Sequence, residues 1–351
     1  MHRLFFVLIT VISTNAFSGE VADLYQSHFA VSDQSEQQRQ LVAPEILRQT
    51  ILKVVGDRSA LDLADLSPIL TQTDSLIQQY QYRRVNKISD DLTKPDQLEL
   101  LLTFDQSGLN RLLADNRLPV WGKNRPDVLV WMAIKDQQHE AILADDQDNL
   151  DVKQALDGAV EMRGLPILLP VMDLSDQRLV SFSELWAGQS DVIIEASQRY
   201  AAQVILMASM TISADKQVRI SWQLHINGET ENWQSRGDVN YAIRSGIDEL
   251  TDRLARRFSQ VVATSAAGQE YELYIKNIRD YADYARVTHY LNDLQYVSHV
   301  EIKNLAQDEL VLAVSIEGDL AVFDRTLAIG QLLRKDTAAD VTHTMQYRFT
   351  P

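Results

Sequence analysis

The stretch LPVWGKNRPDVLVWMAI, residues 118–134, constrains the fold of this chain more than any other segment. Its first half places two prolines and a glycine around Trp121, which is typical of a conformationally restricted turn. Its second half is an apolar run centred on Trp131. The pattern predicts a packed joint followed by a buried strand. Because 351 residues exceed the usual size of a single hydrophobic core, we expect this joint to hold two domains together.

The N-terminus has the organisation of a secretory signal peptide. Arg3 precedes an apolar core at residues 4–12, and the small-x-small pattern AFS ends at Ser18. The apolar core is about half as long as the roughly 20 residues that a membrane-spanning helix needs, so cleavage is favoured over a membrane anchor. We therefore expect residues 1–18 to be a signal peptide, the protein to be periplasmic, and the mature chain to contain no transmembrane segment.

The composition excludes several classes of partner and site. The formal net charge is -16, from 33 basic and 49 acidic residues. A surface this acidic repels phosphate backbones, so nucleic acid is not an expected partner. The chain contains no cysteine, which excludes disulfides, thiol nucleophiles and thiolate metal sites. Stability in an oxidising compartment must then come from hydrophobic cores.

Residues 19–118 have the pattern of an N-terminal α+β domain. Apolar residues recur at helical spacing up to Val55, and Gly56 follows as a stop of the left-handed type. Pro44 within this pattern predicts a kink or a helix start near Leu41. Two strands follow, within QQYQYRRV and QLELLLTF, and then a short helix.

Residues 119–262 alternate between strands and helices. The order strand, helix, strand, helix, strand predicts parallel crossovers, with a buried strand at residues 165–169. The pattern then changes to an alternating strand, an Asn227-Gly228 hairpin turn and a long amphipathic helix capped by Asp238. We predict a mixed-sheet α/β middle domain.

The last part of the chain begins after a small, polar segment, ATSAAGQ at residues 263–269, which we interpret as a linker. Residues 270–351 show the order strand, helix, strand, strand, helix, strand, with the second helix expected to end at Leu333. This order predicts a C-terminal ferredoxin-like βαββαβ domain. The predicted fold class is therefore α+β, with three consecutive small domains.

Several long segments resemble one known family. They are the helix end KVVGDRSAL, the strand QQYQYRRV, the junction LPVWGKNRPDVLVWMAI and the elements RGLPILLPVMDLSD, SFSELWAG and ASQRYAAQVILMASM. Together with the signal peptide they resemble the proteobacterial envelope family called domain of unknown function 2066, over residues 21–258. The resemblance implies an envelope location and brings no assigned activity or catalytic residue. The middle domain is also similar in pattern to small α/β modules of envelope accessory proteins, which by itself says little about function.

No arrangement of residues forms a catalytic or ligand-binding signature. The seven histidines contain no HExxH pair, and the chain has neither a GxSxG motif nor a glycine-rich phosphate loop. Ser183 in SFSELW is interpreted as a helix N-cap. The acidic run ADDQDNLD, residues 144–151, lacks the glycine and terminal glutamate of an EF-hand, and a helix start explains it adequately. We predict no catalytic residue, no cofactor and no metal.

Three residues in turn or helix-start positions are the candidate site: Trp121, Arg125 and Trp186. They either fill a gap at an interdomain joint, the interpretation we favour, or act as exposed anchors for another protein. We predict a non-enzymatic periplasmic binding or assembly accessory module whose partner is an envelope protein. The alternative is a periplasmic hydrolase that acts on cell-wall material through paired carboxylates. A deep pocket with two convergent carboxylates would favour the enzyme, and a shallow apolar surface the binding module.

The mature protein is expected to begin at Gly19. The short apolar core and the small residue at Ser18 favour cleavage at that bond over retention as an anchor. Fractionation of expressing cells, followed by N-terminal sequencing of the periplasmic fraction, checks this. Recovery of an intact Met1 form in the membrane fraction would contradict it.

Overall fold

The computed structural model describes this protein as a mixed α+β structure with three sheets, in agreement with the predicted fold class. The described residues are 21, 23–85, 97–144, 149–259, 269–294, 296–306, 308–317, 319–329, 332–336 and 345–350. They contain twelve α-helices. The predicted signal peptide and the predicted linker, apart from Gln269, lie outside them.

The first sheet has three antiparallel strands in the order β1-β3-β2 and packs against one long helix. The strands are β1 (Gln26–Ala30), β2 (Ile77–Val85) and β3 (Gln97–Phe104). The helices are α1 (Glu36–Val55), α2 (Arg58–Asp62), α3 (Ser67–Leu70), α4 (Thr73–Leu76) and α5 (Gln106–Asp115). Leu100, Leu102 and Phe104 of β3 alternate into a core shared with α1, as the two-residue period predicts. We call this part the first unit.

Helix α1 begins at Glu36, so of the two alternatives predicted from Pro44, a kink or a helix start near Leu41, the start is wrong. Ser35 caps the helix, its hydroxyl accepting from the Gln38 N–H at 3.2 Å. Pro44 lies inside the helix without ending it. The hydrogen bond that proline removes would have gone to the carbonyl of Gln40, an exposed residue whose carbonyl water can reach, while burial of Ile46 and Leu47 holds the helix in place. Gly56 ends α1 at φ 78°, as predicted.

The second sheet has six strands in the order β5-β4-β7-β8-β9, with β6 paired to β4. The strands are β4 (Val128–Lys135), β5 (Glu140–Ile142), β6 (Ile167–Leu168), β7 (Val204–Ile212), β8 (Val218–Ile226) and β9 (Glu229–Gly237). β6 and β7 both run parallel to β4, as the predicted crossovers require, and β8 and β9 form the predicted hairpin. The sheet is therefore mixed.

Helices cover both faces of the second sheet, and together they form the middle unit. They are α6 (Leu150–Arg163), α7 (Leu174–Leu179), α8 (Phe182–Trp186), α9 (Ser190–Ser197) and α10 (Val239–Phe258). Val128 and Val130 of β4 pack with α6 and α10, whereas Leu129 and Trp131 point the other way and pack with α8 and α9. This two-sided burial explains why β4 is continuously apolar.

The N-cap of α8 is Ser181 and not Ser183. Ser181 has extended backbone angles, its hydroxyl accepts from the Glu184 N–H, and the Glu184 carboxylate accepts from the Ser181 N–H at 2.8 Å. This reciprocal capping box needs a spacing of three residues between the serine and the glutamate. Ser183, next to Glu184, lies inside the helix and cannot supply it.

The third sheet has five strands in the order β11-β12-β10-β14-β13 and forms the third unit. Its elements are β10 (Gln269–Lys276), α11 (Tyr281–Asp293), β11 (Val297–Ala306), β12 (Glu309–Ile316), α12 (Leu320–Ile329), β13 (Leu333–Lys335) and β14 (Gln346–Phe349). The second helix ends at Ile329, before the predicted Leu333. Leu333 instead begins an unpredicted strand that pairs with β14, which buries its side chain completely.

Candidate functional site

Arg125 is fully buried where the joint meets the first and middle units. All five of its guanidinium N–H groups donate to backbone carbonyls, and none is left for solvent. The Nη2 atom donates to Lys53 in α1 at 2.5 Å and to Trp121 at 3.0 Å. The Nη1 atom donates to Arg163 and Gly164 at the end of α6, both at 2.8 Å, and Nε donates to Gly122 at 3.2 Å. One side chain thus binds the backbone of both units and of the joint.

The charge of Arg125 is balanced by helix ends and an aromatic face. Lys53 lies in the last turn of α1 and Arg163 in the last turn of α6, where carbonyl groups are unpaired and the helix dipole is negative. The Arg125 Cζ atom also lies 4.2 Å from the centroid of the Trp121 ring. Burial, and secondly the nearby charge of Arg163, lowers the pKa of Arg125 to about 9, so the group stays protonated at neutral pH.

Trp121 has no exposed surface and fills the space between α1 and α10. Its backbone N–H donates to the Val54 carbonyl of α1 at 2.8 Å, and its ring stacks on Phe258 of α10 with centroids 6.4 Å apart. Gly56 lies against the ring, and a Cβ atom there would approach both Trp121 Cε3 and Ala255 Cβ to 2.8 Å. Gly56 is therefore required by this close packing as well as by its positive φ.

A second buried cation, Arg163, adds an ionic link that the sequence did not indicate. Its Nη2 donates to the Gly56 carbonyl of the first unit at 2.5 Å and to Asp252 of α10 at 2.7 Å. Asp252 also accepts from Arg58 of α2, both from the side chain at 2.7 Å and from the backbone N–H at 3.1 Å. The buried Asp252 carboxylate is therefore shared between a middle-unit arginine and a first-unit arginine.

Trp186 lies apart from the other two candidate residues. It ends α8 on the opposite face of the second sheet from Trp121, is half-buried, and stacks on Phe182 with centroids 5.5 Å apart. The Nζ atom of Lys135 lies 5.7 Å from its ring centroid. The structure therefore brings Trp121 and Arg125 together at the joint and does not bring Trp186 to them.

The most exposed apolar surface of the middle unit lies in residues 168–179, which we call the apolar segment. Val171 is 65% exposed and Leu174 is 70% exposed, and Leu168 and Leu179 are exposed as well. The predicted buried strand at residues 165–169 is correspondingly short, because only Ile167 and Leu168 pair with β4 and Leu168 points outward.

A buried carboxylate, that of Asp176, fixes the backbone of the apolar segment. Asp176 has no exposed surface and accepts from the Met172 N–H at 3.0 Å and from the Tyr200 hydroxyl. The Tyr200 hydroxyl in turn accepts from the Val171 N–H at 2.8 Å. Burial and the Asp176 hydrogen bond raise the pKa of Tyr200 to about 12, which keeps its proton available for Asp176.

Two further side chains, those of Arg199 and Gln177, complete this support. Arg199 donates to Asp173 at 2.7 Å and to Asp176 at 3.0 Å. Met172 has a positive φ of 53°, unusual for a residue with a side chain, and its carbonyl accepts from Gln177 at 2.7 Å. The apolar segment is thus held in one conformation by side chains from the 3-10 turn after α9 and from its own helix.

The sequence contained one signal for the start of α7. Asp173 is its N-cap, and Asp176 follows three residues later in the first turn.

Neither a metal centre nor a membrane span is found in the part of the chain that the structure describes. Within the described ranges no group of three or more histidine, aspartate and glutamate side chains could hold a metal ion. The helices of those same ranges are all too short or too polar to cross a bilayer.

Comparison with known proteins gives one partial family match. Residues 19–122 match the family described as "Domain of unknown function (DUF8605)", and no curated protein sequence matches the chain. Among solved structures, the LpoB C-terminal domain from Salmonella enterica is 14% identical with a TM-score of 0.24, covering 32% of this chain and 82% of that one. A competence-damaged protein (CinA) superfamily protein from Enterobacter cloacae is 16% identical with a TM-score of 0.22, covering 43% and 88%. Similarities at this level establish no function, and the resemblance to domain of unknown function 2066 stays a prediction.

Replacing Trp121 by alanine is expected to lower the free energy of unfolding by roughly 3–5 kcal/mol, because a fully buried indole is lost between α1 and α10. Chemical denaturation followed by near-ultraviolet circular dichroism measures this. Trp186→Ala is the matched control, and its smaller loss should reflect the partial exposure of that ring. Equal effects of the two substitutions, or no effect of the first, would contradict the role assigned to Trp121.

Proposed function

We propose that this protein is a non-enzymatic periplasmic accessory module that binds another protein of the cell envelope through the apolar segment. One observation carries the proposal: four exposed aliphatic side chains lie within residues 168–179, on a backbone fixed by hydrogen bonds to Tyr200 and to the buried Asp176. Exposed apolar clusters on soluble proteins mark interaction sites, whereas isolated exposed apolar residues are ordinary.

The rigidity of the apolar segment supports a role in binding a partner. A loop that is already ordered loses little conformational entropy when a partner covers it, so more of the free energy from apolar burial appears as affinity. Asp176 accepts hydrogen bonds from both Tyr200 and Arg199, which is more support than a surface turn without a binding role would need. The exposed polar residues Ser175, Gln177 and Arg178 lie between Leu174 and Leu179, as at the rim of a protein interface.

A protein partner suits this surface better than a lipid surface. The segment carries Asp173 beside its exposed leucines, and the chain as a whole has a net charge of -16, which anionic headgroups would repel. The periplasmic location rests on the predicted signal peptide at residues 1–18, and the choice of an envelope protein follows from that location.

Membership of the family called domain of unknown function 2066 and a division into three domains are also part of this proposal. The domains are residues 19–118, 119–262 and 270–351, the last of them ferredoxin-like. Support comes from separate hydrophobic clusters in the first and third units and in the middle unit, and from the strand order of the third sheet.

The alternative, a cell-wall hydrolase, is favoured by a single observation. Asp157 and Glu161, one turn apart on α6, both line a cleft between the first and middle units. Incubation of purified cell-wall sacculi with the purified protein tests it directly. Release of soluble fragments by the wild type, lost in Glu161→Gln, would establish the enzyme, and no release is the result the binding proposal expects.

Leu174→Asp is expected to abolish partner binding while leaving the fold intact, because this exposed side chain has little to lose on substitution in the free protein. Affinity purification of the tagged chain from cross-linked envelopes, with quantitative mass spectrometry, measures this. The matched control is Leu63→Asp, which places the same charge at a leucine that is 92% exposed in the first unit.

The wild type and the Leu63 variant should retain a protein that the Leu174 variant loses. Melting temperatures of all three should agree to within a few degrees, consistent with surface substitutions. Identical sets of captured proteins from all three chains would refute docking through the apolar segment.

A further inference from the structure

A cleft of about 460 Å³ lies between the first and middle units, away from the apolar segment. One wall is built by β1, by Lys53 near the end of α1, and by the β2–β3 pair. The facing wall is α6 and the turn that follows it. Clefts between domains are common ligand sites, and this volume lies in the range of roughly 300–1,000 Å³ that holds small organic ligands.

The two walls differ in charge. The first unit contributes the cations Lys53 and Arg83, together with His28 and one carboxylate, Asp23, whereas the charged residues of α6 that line the cleft are the carboxylates Asp157 and Glu161. His28 Nδ1 lies 3.7 Å from Glu161 Oε1, so the two walls come close at one point. A dipolar cleft of this kind complements a ligand that carries a negative group at one end and a positive group at the other.

Lys53 is the residue of the cleft whose charge most lacks a balancing anion. Its side chain is only 7% exposed, and its ammonium donates to the Gln26 carbonyl at 2.9 Å. Among the described residues it has no carboxylate within 4.0 Å, although an ammonium has three hydrogens to donate. Burial lowers the pKa of Lys53, an effect that Glu161 and Asp23 oppose from a longer distance. A buried cation without a contacting anion is costly, and a ligand carboxylate at this position would offset that cost.

The carboxylates of α6 complete the pattern from the other side. Glu161 has the His28 contact at 3.7 Å, and Asp157 accepts from Lys153 at 3.0 Å. Arg83 is paired with Glu99 at 3.0 Å, which leaves Lys53 as the principal cation for a ligand. A purely anionic ligand would be repelled by the three carboxylates that line the cleft, and a purely cationic ligand would be repelled by Lys53.

We propose that this cleft binds a short zwitterionic peptide, with its carboxylate on Lys53 and its ammonium on Glu161 and Asp157. The volume exceeds what a single amino acid needs, which favours a peptide. Since the ligand would touch both units, binding should also stabilise their contact and raise the melting temperature. This site is independent of the apolar segment, so either proposal can fail without the other.

Three peptides test the charge pattern on the purified full-length mature chain. Alanyl-alanine carries both charges, N-acetyl-alanyl-alanine lacks the ammonium, and alanyl-alanine amide lacks the carboxylate. Isothermal titration calorimetry, with thermal shift as a second readout, should give the first at least about tenfold tighter binding than either blocked form, as expected for lost hydrogen bonds to charged groups. Equal affinity for the three peptides, or no binding of alanyl-alanine, overturns the proposal.

Two variants test which residues bind the two charged ends of the peptide. Lys53→Met should reduce alanyl-alanine affinity at least about tenfold, whereas the control Lys135→Met, at a lysine paired with Glu140 in the middle unit, should not. Glu161→Gln should weaken alanyl-alanine binding and reduce its advantage over the acetylated peptide. A merely structural role for Lys53 would lower stability and leave the peptide preferences unchanged. Unaltered preferences in a folded Lys53 variant would therefore refute its assignment, and if that variant fails to fold, the Glu161 variant and the blocked peptides decide the question.

Discussion

The burial of one guanidinium among backbone carbonyls is the interaction on which the rest of this structure depends. Removing a cation from water costs several kcal/mol, and Arg125 recovers that cost through five hydrogen bonds, two helix C-termini and the face of Trp121. Its acceptors belong to α1, to α6 and to the joint, so separating the units would break hydrogen bonds to at least one of the two helices. The first and middle units are consequently fixed to each other, although each has its own hydrophobic core.

This fixed contact determines where the surfaces that can bind other molecules lie. With the ends of α1 and α6 held together, Lys53 of one helix and Glu161 of the other face a common cleft. The apolar segment follows α6 but depends on different support, the buried Asp176 with Tyr200 and Arg199. Two candidate binding surfaces therefore flank one helix, and each is held by a polar network that belongs to it alone.

Much of the fold could be predicted from local sequence signals. Contacts between residues far apart in sequence could not be predicted in this way. Gly56, Asn227-Gly228 and Asp238 act on their own neighbours, and each ends, turns or caps the chain as its residue type predicts. The carbonyls around Arg125 lie up to 72 positions away in sequence, and Asp252 lies 194 positions from Arg58, so no local pattern revealed these contacts. The apolar neighbours of Leu168 predict that it is buried. In the structure it is exposed, because β6 pairs with β4 over only two residues.

Native-state hydrogen exchange on the wild type and on Arg125→Met tests the central claim most directly, since methionine keeps the apolar stem and removes the five donors. If Arg125 joins the units, the slowest amides of α1 and α10 should exchange with the same free energy of opening in the wild type. In the variant, α1 should open at a lower free energy than α10, because the first unit can then separate by itself. Equal protection of the two helices in the variant, at the wild-type level, would contradict the account.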